Sequence, residues 1–410
     1  MPRPRGIPVH LMNSINLTLR TPLYRGAVLA LLLSGIGFSA ATPFISLFLV
    51  EELNASLRTA GLFALTNVTA PIAGYLVGVR SDRSGDRLGL FRICALVGFL
   101  GWASIAISTQ LWVPVVISTL VLAFAGAATA QLFAAIHDEP APGVDGVVAV
   151  ARMALVGGWV IGPVLGSLLT AVTSLRFMFF ATALCLLAQM LPLGRLRTRA
   201  RSSEHEHDRR APGLREMRPL LVFTFLTVLL YACDTVKFAY LPIHLDRDLG
   251  LPSGVSGAII GTQPAFELLF IPLAMALAHR AGARWLLVLG GVLAIAGNVC
   301  FAFSTTAVGL FAGQALIGGL WGIFGGLGIL VAQRLLPSAV ATASAVFMSA
   351  EPLSAAVGGL AGGLTVEPLG IPQIFLVPAA LSVVATIGLL MMGPRPALGP
   401  LRSAAADHRA

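Results

Sequence analysis

The sequence predicts an all-α membrane protein, with twelve transmembrane helices in two six-helix, pseudo-symmetric halves. Three observations predict it: a charge-poor composition, twelve apolar runs of membrane-crossing length, and one long polar segment dividing six runs from six. Of 410 residues, 57% are hydrophobic and only 11% charged, against about 25% charged in an ordinary soluble domain. A helix needs about 20 predominantly apolar residues to cross the hydrocarbon core. In order, such runs lie near 25–50, 59–79, 88–108, 112–135, 147–171, 175–192, 217–243, 254–278, 285–304, 308–333, 338–364 and 371–393.

The first run follows the basic stretch MPRPRGIPVH and is too long for the apolar core of a signal peptide, so residues 1–24 are expected to form an uncleaved cytoplasmic tail. Runs one to six define an N-terminal bundle over 25–194, and the polar segment a cytoplasmic linker over 195–216. Runs seven to twelve give a C-terminal bundle over 217–393, leaving 394–410 as a second cytoplasmic tail. His205 and His207 in the linker hint at a metal, but a solvated charged linker accounts for them, and no metal is expected. The four cysteines, Cys94, Cys185, Cys233 and Cys300, fall in separate runs without a CxxC spacing and read as small buried side chains.

Orientation follows from the arginines. With the N-terminus inside, 23 arginines face the cytoplasm and three, Arg58, Arg176 and Arg247, face outward. Basic residues are retained on the cytoplasmic side of membrane proteins, so both termini are expected in the cytoplasm, in a bacterial inner membrane. The net charge of +9 is thereby explained by topology, and no nucleic-acid partner is expected.

Between the second and third runs the chain reads GVRSDRSGDR, and between the eighth and ninth AHRAGAR. Arg83, Gly85 and Arg87 thus match Arg280, Gly282 and Arg284 at a shift of 197, which also carries Pro140 onto Pro337, Gly162 onto Gly359 and Gly166 onto Gly363. One shift serving three regions suggests an internal repeat, an arrangement found in alternating-access transporters.

GVRSDRSGDR resembles the cytoplasmic loop signature of the major facilitator superfamily, matching at Gly78, Asp82, Arg83, Gly85 and Arg87, with Asp86 where a basic residue is common. Glycine at 85 permits a tight turn between antiparallel helices. The resemblance implies that the Asp82 carboxylate docks at a helix N-terminus near Ser338 and closes the cytoplasmic side, with Asp138 and Arg152 belonging to the same gate.

A narrower resemblance covers most of the chain. AQLFAAIHDE ending the fourth run, Arg152 before WVIGP, AFELLFIP in the eighth run and GGLGILVAQRLLP in the tenth are similar to the bacterial sugar efflux transporter family. That family exports sugars and sugar analogues by proton exchange. Gly158, Gly162, Pro163 and Gly166 are similar to the antiporter motif of proton-coupled exporters. Small residues at i and i+4 let helices approach closely and proline removes one backbone donor, which suits a hinge; simple helix packing is the alternative. The fourth run lacks the arginine that many proton-coupled exporters carry there.

Ionisable groups at mid-depth are costly and mark pathways. Glu267 is the first choice for proton carrier, being mid-run and without a basic neighbour on its own helix, and Glu351 is the second. Asp234 and Lys237, the sole lysine, share one helical face at i, i+3, either as a coupling element or as a charge-neutral structural pair. For Glu267 and Glu351 a hydrogen-bonded structural acid is the competing reading. Sugar recognition asks for amides and aromatic faces, for which Asn67, Trp159, Gln263, Gln314 and Trp321 are the candidates by depth, with Phe266 and Tyr231 nearby. The expected function is proton-coupled efflux of sugars, with a drug exporter of the same fold as the alternative and a solute uptake symporter behind it. A receptor or lipid-modifying enzyme lacks support: no sensory domain, GxxxxGK[ST] loop or acyl-transfer constellation is present. No enzymatic activity and no cofactor are expected, the proton gradient being the drive, and the chain is expected to act as a monomer in the lipid bilayer.

Overall fold

The computed structural model describes residues 15–139, 144–197 and 214–392. Twelve helices in this set are long and apolar enough to cross a membrane: α1 Pro22–Glu51, α2 Leu57–Ser81, α3 Arg87–Ala106, α4 Trp112–His137, α5 Gly146–Val172, α6 Leu175–Leu193, α7 Arg215–Asp248, α8 Ser253–Ala278, α9 Ala283–Phe303, α10 Ala307–Leu335, α11 Thr342–Leu369 and α12 Gln373–Met391. The protein is a multi-pass, all-α membrane protein. His205 and His207, Pro140, residues 1–14 of the N-terminal tail and the whole C-terminal tail lie outside the described residues, as do most of the linker and the Asp82 side chain.

The described residues fall into two compact units, those within Met1–Phe44 and Thr69–His205 and those within Ile45–Val68 and Glu206–Ala410. Residues 45–68, which the sequence reading puts in the N-terminal bundle, cluster with the second unit. Each crossing coincides with a 3-10 stretch inside a spanning helix, Thr42–Phe44 in α1 and Phe63–Thr69 in α2. Such tighter turns within a helix mark strained or hinge positions. Pro43 supplies no amide donor at the first, and the Thr66 hydroxyl donates back to the Phe63 carbonyl at the second (2.8 Å).

In the first unit Tyr24, Leu31, Leu88, Phe91, Leu132 and Ile136 meet in one buried core. Arg92 of α3 donates to the carbonyls of Gly194 and Leu196, where α6 ends. In the second unit Phe223 stacks on Phe324 and Phe347, and Arg284 at the start of α9 donates to the Leu390 carbonyl of α12 at 2.7 Å. Carbonyls in the last turn of a helix and just past it have no donor within that helix, and these two arginines supply one.

Candidate functional site

In the first unit, the α2–α3 loop and the end of α4 are tied together. Gly85 terminates the α2 helix at φ +67°, in the left-handed region, with its amide donating to the Ser81 carbonyl. Asp86 caps α3, its carboxylate accepting from the Gly89 amide at 2.8 Å; a basic side chain could not do this, which accounts for the departure from the usual pattern. Arg87 bridges to Asp138 at 2.9 Å and donates to the Ser81 hydroxyl at 2.9 Å, while Ser81 donates to Gln131 of α4. Ser81 and Gln131 are therefore members of this cluster, which the loop motif alone does not announce. Arg83 lies in the last turn of the helical segment Ala70–Ser84, which continues α2 to the loop. A side chain at Gly78 would meet nothing within 4 Å, so close packing does not require that glycine, and Arg152 is exposed on α5.

Gly158, Gly162 and Gly166 form the face of α5 that packs on α1. A Cβ at Gly158 would lie 2.6 Å from the Leu32 carbonyl oxygen and 2.7 Å from the Ile36 nitrogen, at Gly162 2.6 Å from the Ile36 oxygen, and at Gly166 2.6 Å from the Ala40 oxygen. Ser39 crosses the seam and donates to the Gly158 carbonyl at 3.1 Å. Pro163 sits inside the helix beside this seam, and the amide it lacks leaves the Trp159 carbonyl without its i+4 donor. In the second unit α11 presents two glycine faces. Gly358 and Gly362 meet Ala232, Thr235, Val236 and Tyr240 of α7, while Gly359 and Gly363 meet Gly61, Leu62, Ala64 and Leu65 at the start of α2.

The second unit also holds a buried polar cluster between α7 and α8. Lys237 of α7, 2% exposed, bonds to the Asp234 carboxylate one turn away and to the Gln263 side-chain oxygen of α8. Its ammonium also lies 4.5 Å from the centre of the Phe238 ring. Opposite charge, an amide dipole and an aromatic face together offset the cost of an ammonium within the bilayer. Gln263 reaches this point because Gly318 of α10 lets its backbone in: a Cβ there would lie 2.6 Å from the Gln263 carbonyl oxygen. One turn before Asp234 on α7 and one turn after Gly318 on α10, Tyr231 and Trp321 stack with centroids 4.2 Å apart and planes 12° from parallel.

The sequence candidates thus separate. Asp234, Lys237 and Gln263 come into direct contact, and Trp321 joins one turn away through Tyr231. Gln314 is fully buried on α10 and neither of its amide atoms has a hydrogen-bond partner among the described residues. Glu267 is half-buried, its Oε1 3.9 Å from where a Cβ would stand at Gly325. Glu351 is exposed on α11, and its carbonyl accepts from the Ser354 hydroxyl at 2.6 Å. Asn67 is exposed in the 3-10 stretch of α2, and Trp159 is half-buried on α5 in the first unit. Further contacts that the sequence did not signal lie in the second unit: Arg247 pairs with Glu51, Arg58 with Glu367 at 3.9 Å, and the Tyr240 hydroxyl donates to the Leu57 carbonyl at 3.3 Å.

Comparison with known proteins agrees with this architecture. A family model described as Major Facilitator Superfamily matches residues 27–233 and 223–409. The chain is 28% identical over 378 residues to Sugar efflux transporter A of Escherichia coli (strain K12), covering 88% of this chain and 94% of that protein. It is 29% identical over 351 residues to Sugar efflux transporter A of Dickeya chrysanthemi, covering 82% and 86%. Among solved structures, the nucleoside transporter NupG shares the fold at a TM-score of 0.75 and 18% identity, covering 90% of this chain and 98% of that one.

Proposed function

We propose that this chain, which belongs to the Major Facilitator Superfamily, exports sugars or sugar analogues in exchange for protons. The coarser statement, secondary transport of a small molecule across a lipid bilayer, comes with the family. Substrate class, direction and coupling are our reading, and one observation carries them: the near full-length likeness to two proteins named as sugar efflux transporters. A carboxylate and an amide beside a stacked Tyr–Trp pair support it, since sugars are held by hydrogen bonds to their hydroxyls and by aromatic cover over their C–H faces.

In this reading Gln263 and Trp321 contribute to substrate contact, with Gln314, Asn67 and Trp159 as further candidates. Glu267, Glu351, Asp234 and Lys237 are the candidates for coupling. The Arg87–Asp138 cluster stiffens the cytoplasmic loop, and the glycine seam of α5 lets α1 and α5 move together. The protein is a monomer of the bacterial inner membrane with both termini cytoplasmic.

The test is counterflow of radiolabelled sugars and of cationic dyes in proteoliposomes, with and without an imposed pH gradient. Sugar counterflow that becomes uphill when the gradient is imposed is the expected result. Dye movement without sugar movement overturns the reading in favour of a drug exporter; sugar accumulation in the direction of proton flow makes the protein an uptake symporter.

A further inference from the structure

We propose that Asp234, Lys237 and Gln263 form a site at which a proton and an uncharged, hydroxyl-rich substrate compete for one carboxylate. The proposal rests on the export reading above and adds to it the charge class of the substrate and the atoms where exchange occurs. Lys237 is the only lysine of the chain, and with Asp234 it makes a pair of zero net charge inside a spanning helix. The two side chains differ in access: 3% of the lysine is exposed and 17% of the aspartate. An incoming molecule therefore meets the carboxylate, while the ammonium stays occupied by Asp234 and Gln263.

A carboxylate accepts hydrogen bonds and donates none when ionised. A ligand that engages it must donate, and hydroxyl groups do so without adding charge. An anion would be repelled by the ionised pair and would be welcomed only after Asp234 is protonated, when the Lys237 charge stands unbalanced; it would then travel with the proton. A cation would face Lys237 at close range. Only an uncharged donor binds the same ionised form that a proton destroys, and such mutual exclusion is the requirement for exchange rather than co-transport. The Tyr231–Trp321 stack, one turn inward from Asp234 on α7 and from Gly318 on α10, supplies an aromatic surface beside the carboxylate.

The surrounding helices leave this carboxylate under the control of Lys237. On α7 the titratable neighbours among the described residues are the Cys233 thiol, which also interacts with the α9 amide Asn298, and the phenols of Tyr231 and Tyr240, with His244, Asp246, Arg247 and Asp248 toward the outer end and Arg215, Glu216 and Arg218 at the inner end. On α8, Glu267 lies one turn inward of Gln263, and His279 and Arg280 stand at the inner end. On α11, Gly358 touches α7 beside Thr235; Glu351 stands about 10 Å inward of it and Glu367 about 13 Å outward, at 1.5 Å per residue. Arg284 of α9 and Arg334 of α10 are near the inner ends, Cys300 of α9, Glu51 of α1 and Arg58 of α2 near the outer ends, and α12 carries no ionisable group. In the exchange step the O–H bond of the protonated Asp234 breaks, its proton leaves to the aqueous side, and substrate hydroxyls donate to the freed oxygens. No other covalent bond changes.

The test uses the full-length protein in detergent, weakly buffered with a pH indicator, and two probes, neutral methyl β-D-glucoside and anionic D-glucuronate. The wild type is expected to release up to one proton per glucoside bound, with apparent affinity falling about tenfold per pH unit once the carboxyl is mostly protonated. Glucuronate is expected to release none. Asp234→Asn is expected to abolish proton release and the pH dependence of binding. Should that variant fail to fold because it strands a buried ammonium, Asp234→Asn with Lys237→Met removes both charges together and is expected to give the same loss. Glucoside binding with normal proton release in both variants overturns the assignment while leaving sugar export standing, as does release that is lost only in Glu267→Gln. If neither methyl β-D-glucoside nor D-glucuronate binds the wild type, the sugar reading itself falls and this inference with it.

Discussion

Replacing Gly162 by alanine adds one methyl group to the tightest seam of the first unit. That methyl would lie 2.6 Å from the Ile36 oxygen and 3.0 Å from the Ala40 nitrogen, with the Ser39 hydroxyl closer still. The first two are backbone atoms of α1 and cannot rotate away. Restoring an ordinary contact of 3.4 Å means parting the helices by about 0.8 Å, since 3.4 minus 2.6 is 0.8. A gap of that size forfeits roughly a quarter to a half of each dispersion contact along the seam. Overpacking of this kind costs about 1–3 kcal/mol, and loosening the bond from Ser39 to the Gly158 carbonyl costs about 1 kcal/mol more.

The assay is thermal unfolding in detergent, followed with a thiol-reactive dye on the four cysteines. A loss of about 2–4 kcal/mol, at roughly 1–2 °C per kcal/mol in a long chain, lowers the midpoint by about 2–8 °C. Gly157 is the control, because a methyl there meets nothing within 4 Å. Gly157→Ala is expected to be neutral or mildly stabilising, as alanine suits a helix interior by up to about 1 kcal/mol. Gly162→Ala as stable as the wild type, or Gly157→Ala equally destabilised, refutes the reasoning.

Arg87→Gln and Asp138→Asn should each lower the unfolding midpoint, and the double variant should lose less than both together, with a coupling of about 1 kcal/mol for this largely buried pair; strict additivity would show that the pair contributes nothing. Trp321→Leu removes one ring of the 4.2 Å stack and should raise the half-saturating sugar concentration in counterflow about 3–10-fold, from about 0.5–1.5 kcal/mol of aromatic interaction; unchanged saturation would confine Trp321 to packing. A reporter fused after Leu196 should be cytoplasmic and one inserted near Asp248 external, as the 23 to three division of arginines requires; the opposite pattern inverts the topology.

The spans were legible because membrane crossing is a matter of length and apolar content, which a linear sequence carries in full. The exchange of residues 45–68 between units was not. Pro43 marks the first break, but the second, Phe63–Thr69, contains no proline or glycine, and its local signal is a single hydroxyl, Thr66, that donates back to the Phe63 carbonyl. The glycine motif of α5 announced close helix packing, yet i and i+4 spacing cannot say which helix approaches; α1 does, through Leu32, Ile36 and Ala40.

The ungapped shift of 197 shows how a true correspondence and a misleading one arise together. It pairs Gly85 with Gly282, and both take positive φ at the turn between two helices. It also pairs Gly162 and Gly166 with Gly359 and Gly363, whereas the glycines that face α7 are Gly358 and Gly362. Likewise it matches Arg284 to Arg87, though Arg284 closes the end of α12 in the way that Arg92 closes the end of α6. A slip of one residue rotates a helix face by about 100°, so a shift that is right for a loop can be wrong for the helix beyond it. The Asp234–Lys237 pair escaped this difficulty because both partners lie on one helix, one turn apart. Gln263, 26 residues further on, joins it only because Gly318 of a third helix has no side chain in the way. Substrate chemistry in such a fold is written in contacts of this second kind, where the residue that touches a ligand and the residue that makes room for it lie on different helices.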